Sequence, residues 1–102
     1  MGDFKRVVVT GLGCVSPLGN NVEQSWNTCI KGESGIDRIR RFDVSDFRCQ
    51  IAGEVKDFGL PDLISAKEAK KMDLFIHYAI AATQEALQDA GLEISEELEE
   101  EV

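Results

Sequence analysis

Apolar residues open the chain as a block and recur later as stripes. Val7, Val8 and Val9 follow one another without a polar break, which predicts a strand over 6–10 covered on both faces. A glycine-rich turn comes next. Beyond it Val22, Trp26, Cys29 and Ile30 fall at i, i+4, i+7 and i+8, one stripe of a helix. Asn20 or Asn21 is placed to cap that helix, Glu23 suits its positive end, and Gly32 stops it after Lys31. The middle, ESGIDRIRRFDVSDFRCQIAGEVKDFGLPD, is loop-rich and predicts one strand, roughly 49–55, with Ile51 and Val55 on one face. The longest periodic stretch is SAKEAKKMDLFIHYAIAATQEALQDAGL. Ser65 and Glu68 form a capping box at its start. Met72, Phe75, Ile76, Ala79, Ile80, Thr83, Ala86, Leu87 and Ala90 trace its stripe, and Gly91 ends it with Leu92 folded back over the last turn.

The order strand, helix, strand, helices predicts an α/β fold. It also sets a problem. A strand buried on both faces needs parallel neighbours and covering helices, and 102 residues supply too few strands. The sequence therefore reads as the beginning of a larger domain, with no repeat, linker or internal boundary over 1–102.

Charge sharpens this picture. Residues 1–60 hold eight acidic and eight basic side chains, whereas 61–102 hold eleven acidic and three basic, which accounts for the net charge of -8. Six of those acids lie in the final EISEELEEEV, a solvated end. Phosphate-backbone binding needs a basic surface, so a general nucleic-acid role is excluded. No apolar run approaches the ~18 residues of a membrane span, and the charged start MGDFKR does not open a secretory signal. Cys14, Cys29 and Cys49 fit no zinc spacing and cannot all pair within one chain. Free thiols in the core of a cytoplasmic protein are the expectation.

The turn GLGCVSPLGN invites a phosphate-binding reading. A dinucleotide turn needs G-x-G-x-x-G, yet Gly11 and Gly13 are followed by Ser16 at the third position, then Pro17, with Gly19 three residues late. A P-loop is excluded because no Gly-Lys-Ser/Thr is present. No cofactor is expected.

Taken together, KRVVVTGLGCVSPLGN, the SGI at Ser34–Ile36, the FD at Phe42-Asp43, AGEVKDF and KKMDLFIHYAIAATQEALQDAGL resemble the start of bacterial β-ketoacyl-acyl carrier protein synthases, most closely the synthase II type. The resemblance runs from about Lys5 to Ser95. It implies that 1–102 is the N-terminal part of a thiolase-like five-layer α-β-α-β-α fold, normally a homodimer, in which the glycine turn is structural. It further implies a decarboxylating Claisen condensation in fatty-acid biosynthesis. A cysteine thiolate takes an acyl group from acyl carrier protein, and the enolate from malonyl-carrier protein attacks the thioester.

That chemistry needs a cysteine in a motif this sequence lacks and two histidines, which the family places further downstream. Here His77 is the single histidine, expected to form a surface pair with Asp73 on the polar side of its helix. Cys14 is separated from the first helix by 17–20, and Cys29 belongs to an apolar stripe. No catalytic residue is therefore assigned, and the isolated chain is expected to be inactive. One binding feature is implied: Lys67, Lys70 and Lys71, at i, i+3 and i+4 on one helix face, match basic positions where synthase II enzymes dock the acidic acyl carrier protein. Arg38, Arg40 and Arg41 form a second cluster to which the resemblance assigns no role. Two other readings stay open: a non-catalytic ketosynthase-like subunit, and a free-standing carrier-protein-binding fragment.

Overall fold

The computed structural model describes residues 4–99, apart from the side chains of Glu97 and Leu98. Helix α1 (Val22–Ile30) forms where the sequence places it. Asn21 is extended and its side-chain oxygen accepts the Gln24 N–H at 2.8 Å, satisfying one of the free donors of the first turn. Gly32, at φ 70°, carries the chain out of the helix.

The buried side of α1 differs from the expectation. Trp26 and Ile30 remain 63% and 62% exposed and Cys29 is exposed, whereas the residue α1 buries is Ser25. The reason lies in the preceding turn, whose Ser16 hydroxyl lies 2.9 Å from that of Ser25. The Ser25 hydroxyl also donates to the Gly19 carbonyl at 3.2 Å. Hydrogen bonding to the turn, not the apolar stripe, sets how α1 faces the rest of the described residues.

The expected strand over 6–10 does not form. Val7, Val8 and Val9 are 91%, 68% and 79% exposed, and no described segment offers ladder partners to their N–H and C=O groups. The sheet that does form is a small antiparallel pair, β1 (Ile36–Arg38) with β2 (Ile51–Gly53), in the register Ile36↔Gly53, Asp37↔Ala52 and Arg38↔Ile51. Strand β2 falls inside the predicted 49–55. Strand β1 reads as loop in the sequence because two of its three residues are charged. An added Cβ at Gly35 or Gly53 would come 2.9 Å from Pro17, so the hairpin lies directly against the glycine turn.

Between β1 and β2 the chain closes over Val44, which is 2% exposed, and Phe42 meets Phe47 edge-on at 5.7 Å. Val44 and Ile64 are the buried large apolar residues among those described. The radius of gyration is 17.7 Å, against about 13 Å for a compact chain of this length. Much apolar side-chain surface is accordingly left uncovered.

The stretch expected as a single helix from Ser65 is two. Ser65 and Glu68 form the capping box, but α2 runs only over Ala66–Ala69. At Asp73 the backbone returns to extended geometry (φ −72°, ψ 157°), and α3 (Leu74–Ala90) starts afresh. Asp73 is the N-cap through its main chain, its carbonyl accepting the Ile76 N–H at 3.0 Å, while its side chain makes no capping hydrogen bond. Gly91, at φ 65° and ψ 28°, ends α3 in the left-handed conformation that glycine adopts freely, and the Leu92 N–H reaches back to the Leu87 carbonyl at 3.0 Å. A short α4 (Glu96–Glu99) follows. None of the described helices is long and apolar enough to cross a membrane.

Candidate functional site: the glycine turn and the lysine segment

Helix α3 presents two different faces. Leu63, Phe75, Ile76, Ile80 and Leu87 line an open apolar groove along one of them. The other brings Ala82, Ala86 and Ala90 under the glycine turn. The fit is tight enough that a Cβ on Gly11 would collide with the Ala86 carbonyl oxygen, and one on Gly13 with that of Ala82. These glycines serve the close approach of two backbones.

Two carboxylates on this face complete the contact. Asp89 accepts the Leu12 N–H at 3.0 Å. Glu85 accepts the Cys14 N–H at 2.9 Å and the Val22 N–H at 3.1 and 3.2 Å through its two oxygens. Val22 is the first residue of α1, so a negative group sits where the helix dipole and free N–H groups favour one. A phosphate would use these same donors. Here side chains of α3 take them, and the turn acts as a fold element. Glu85 and Asp89, spaced i and i+4 on the alanine face, were the legible signal of this clasp.

The three cysteines lie in different surroundings. Cys14 is half-buried, and the hydrogen-bond partner of its sulfur among the described residues is the Ser25 hydroxyl at 3.8 Å. A hydroxyl is neither the base nor the cation that activates a thiol. Cys29 and Cys49 are exposed, which corrects the expectation that all three are core residues. The described residues contain no cluster of three or more His, Cys, Asp or Glu suited to a metal ion.

His77 also departs from expectation. It is 8% exposed, not on a polar surface, and its Nε2 lies 3.1 Å from the Ala69 carbonyl oxygen. The helix break at Asp73 leaves the Ala69 carbonyl within hydrogen-bond reach of the histidine.

The three lysines remain close in sequence, but the structure does not seat them on one continuous helix. Lys67 belongs to α2, Lys70 is its C-cap at φ −67° and ψ −19°, and Lys71 sits in the following turn with its N–H on the Glu68 carbonyl at 3.0 Å. All three are exposed, and none is ion-paired with a described acidic residue. The neighbouring Glu68 carboxylate is drawn back to the Ser65 N–H at 3.4 Å by the capping box. The segment therefore offers three cationic heads whose adjacent acid is engaged elsewhere.

The arginine cluster is tied up within the chain. Arg40 pairs with Asp37 at 3.4 Å, and Arg38 donates to Gln50 at 2.9 Å. Arg41 donates to the Tyr78 hydroxyl at 2.6 Å and lies 3.9 Å from Glu54. Tyr78 packs edge-on against Phe58 at 4.9 Å, so this set fastens the β1–β2 region to the first turns of α3.

Residues 4–102 match the family model for the beta-ketoacyl synthase N-terminal domain. The chain belongs to this family. It is 55% identical over 93 residues to 3-oxoacyl-[acyl-carrier-protein] synthase 2 of Vibrio harveyi, and 53% identical over 93 residues to the protein of that name from Vibrio cholerae. Against its namesake in Staphylococcus aureus (strain COL) it is 48% identical over 96 residues. These alignments cover 91–94% of the chain but only 22–23% of each relative. The synthase II resemblance read from the sequence thus holds over nearly all the residues given, and mixed helix and strand is what the structure shows. In this structure the glycine turn packs against α3 through Gly11 and Gly13.

Proposed function

We propose that residues 1–102 form the N-terminal part of a synthase II-type condensing enzyme of fatty-acid biosynthesis, built on a thiolase-like five-layer fold. The full-length enzyme is a cytoplasmic homodimer that joins an acyl thioester to malonyl-acyl carrier protein with loss of carbon dioxide. The names and high identity of the relatives support this reading. So does the apolar surface of Val7–Val9, Trp26 and Phe75, which calls for strands and helices from the rest of such a fold. The nucleophilic cysteine and two histidines come from beyond these residues.

Within this part the lysine segment binds the partner. Lys67, Lys70 and Lys71 form a landing site for an acidic acyl carrier protein, and the observation that carries this is their exposure without an acidic partner among the described residues. In the full-length enzyme, replacing all three with Glu is expected to raise KM for a carrier-protein-linked substrate at least ~10-fold while leaving the same acyl group on pantetheine unaffected. In the unmodified enzyme, carrier-protein affinity is expected to fall as salt rises. Unchanged KM on charge reversal would remove the lysines from the docking site.

A further inference from the structure

We propose that His77 is a positioning residue for the lysine segment, holding α2 against α3 so that Lys67, Lys70 and Lys71 present their charges together. The proposal rests on the docking reading above. Its observation is the bond from the buried His77 ring to the Ala69 carbonyl, with Nε2 and oxygen 3.1 Å apart. A carbonyl can only accept, so Nε2 carries the hydrogen and donates it.

The placement matters because α2 cannot stand alone. It has four residues, and a single helical turn is far below the length that is stable in water. Its start is held by the Ser65–Glu68 capping box, within α2 itself. Its end has local main-chain ties, the Lys71 N–H to the Glu68 carbonyl at 3.0 Å and the Met72 N–H to the Ala69 carbonyl at 3.2 Å, and beside them the ring of His77 at the same Ala69 carbonyl. Of these, His77 is the tie that reaches from α3. Ala69 immediately precedes Lys70 and lies two residues after Lys67. Without the histidine the turn frays, and the lysines sample many arrangements whose ordering would weaken partner binding.

The test uses the full-length enzyme and compares KM for an acyl group on carrier protein with KM for the same group on pantetheine. The variant His77→Leu keeps bulk but loses the donor, whereas His77→Gln places an amide N–H at similar reach. With His77→Leu, the carrier-protein KM is expected to rise about three- to tenfold. The pantetheine KM stays unchanged, and His77→Gln restores the original value. A merely structural role would move both substrates together and show no selective rescue, and that result overturns the proposal. Should His77→Leu fail to fold, His77→Asn is used: it is polar but too short to reach Ala69, and is expected to raise only the carrier-protein KM. Selective loss in the lysine variants but not in the His77 variants sinks the positioning role alone. No effect in the lysine variants sinks the docking reading and this inference with it.

Discussion

The Glu85 carboxylate receives the main-chain N–H of Cys14 at 2.9 Å, across 71 residues of sequence. It also receives the first N–H of α1 at Val22. One side chain thus holds a turn and a helix start against α3, in a site half shielded from water. Charge-assisted bonds of this kind contribute more than neutral ones, and the donors left behind would be poorly solvated. Glu85→Ala is expected to destabilise the protein by about 2 kcal/mol, and Glu85→Gln by about half that, because the amide keeps one acceptor oxygen. Urea unfolding reads the difference. Equal midpoints for Glu85→Ala and the parent would show that the clasp contributes nothing.

Gly13 tests the same contact from the other side. A methyl group there points into the Ala82 carbonyl of α3, a backbone atom that can move only if the helix moves. Gly13→Ala is expected to cost about 3 kcal/mol or to prevent folding. Gly59, where an added Cβ meets nothing within 4 Å, serves as the control. Its Ala variant should match the parent in thermal unfolding, and similar midpoints for the two variants would disprove close packing at Gly13.

The sequence made local features legible and left orientation obscure. Asn21, the Ser65–Glu68 box and Gly91 bound their helices because capping is decided within a few residues. The family was legible for the same reason, since its motifs lie along one continuous stretch. Whether Val7–Val9 pairs, and which way Trp26 and Ile30 face, depend on partners distant in sequence or outside the described residues. His77 reads as a surface residue paired with Asp73 only if one helix continues through Asp73, and there the helix restarts. The lysines were legible as a charge cluster, but the carbonyl that ties their segment to α3 carries no side-chain signature. Strand β1 is invisible to periodicity because only three residues pair, and Asp37 and Arg38 are two of them.

Asp43 gives a prediction in pH. The Ser45 hydroxyl, and then the Ser45 N–H, donate to its carboxylate and hold its pKa below the ordinary value of 3.8, with burial opposing slightly. A depressed folded-state pKa means that the contribution is complete above 3.8 and is lost as pH falls through the folded value. Carboxyl-carbon NMR is expected to show Asp43 titrating below 3.8, and Ser45→Ala should move it upward. A midpoint that ignores the Ser45 substitution would show that the serine does not bind the carboxylate in solution.

Arg41 and Tyr78 join the hairpin region to the start of α3 through a guanidinium–hydroxyl bond of 2.6 Å. Arg41 also donates to the Val55 carbonyl at 3.3 Å and lies near Glu54, whose oxygens accept the Arg40 and Arg41 N–H groups at 3.0 and 3.2 Å. The Arg41 side chain is 44% exposed, so solvent screens the Arg41–Glu54 pair and limits what it adds. Tyr78→Phe removes only the hydroxyl and preserves the edge contact with Phe58. Each of Tyr78→Phe and Arg41→Met is expected to cost about 1 kcal/mol or less. A double-mutant cycle should return a coupling near 0.5 kcal/mol, the range for residues in direct contact. A coupling of zero would mean that the two side chains part in solution and that packing of Phe58 on Tyr78 alone fastens the hairpin to α3.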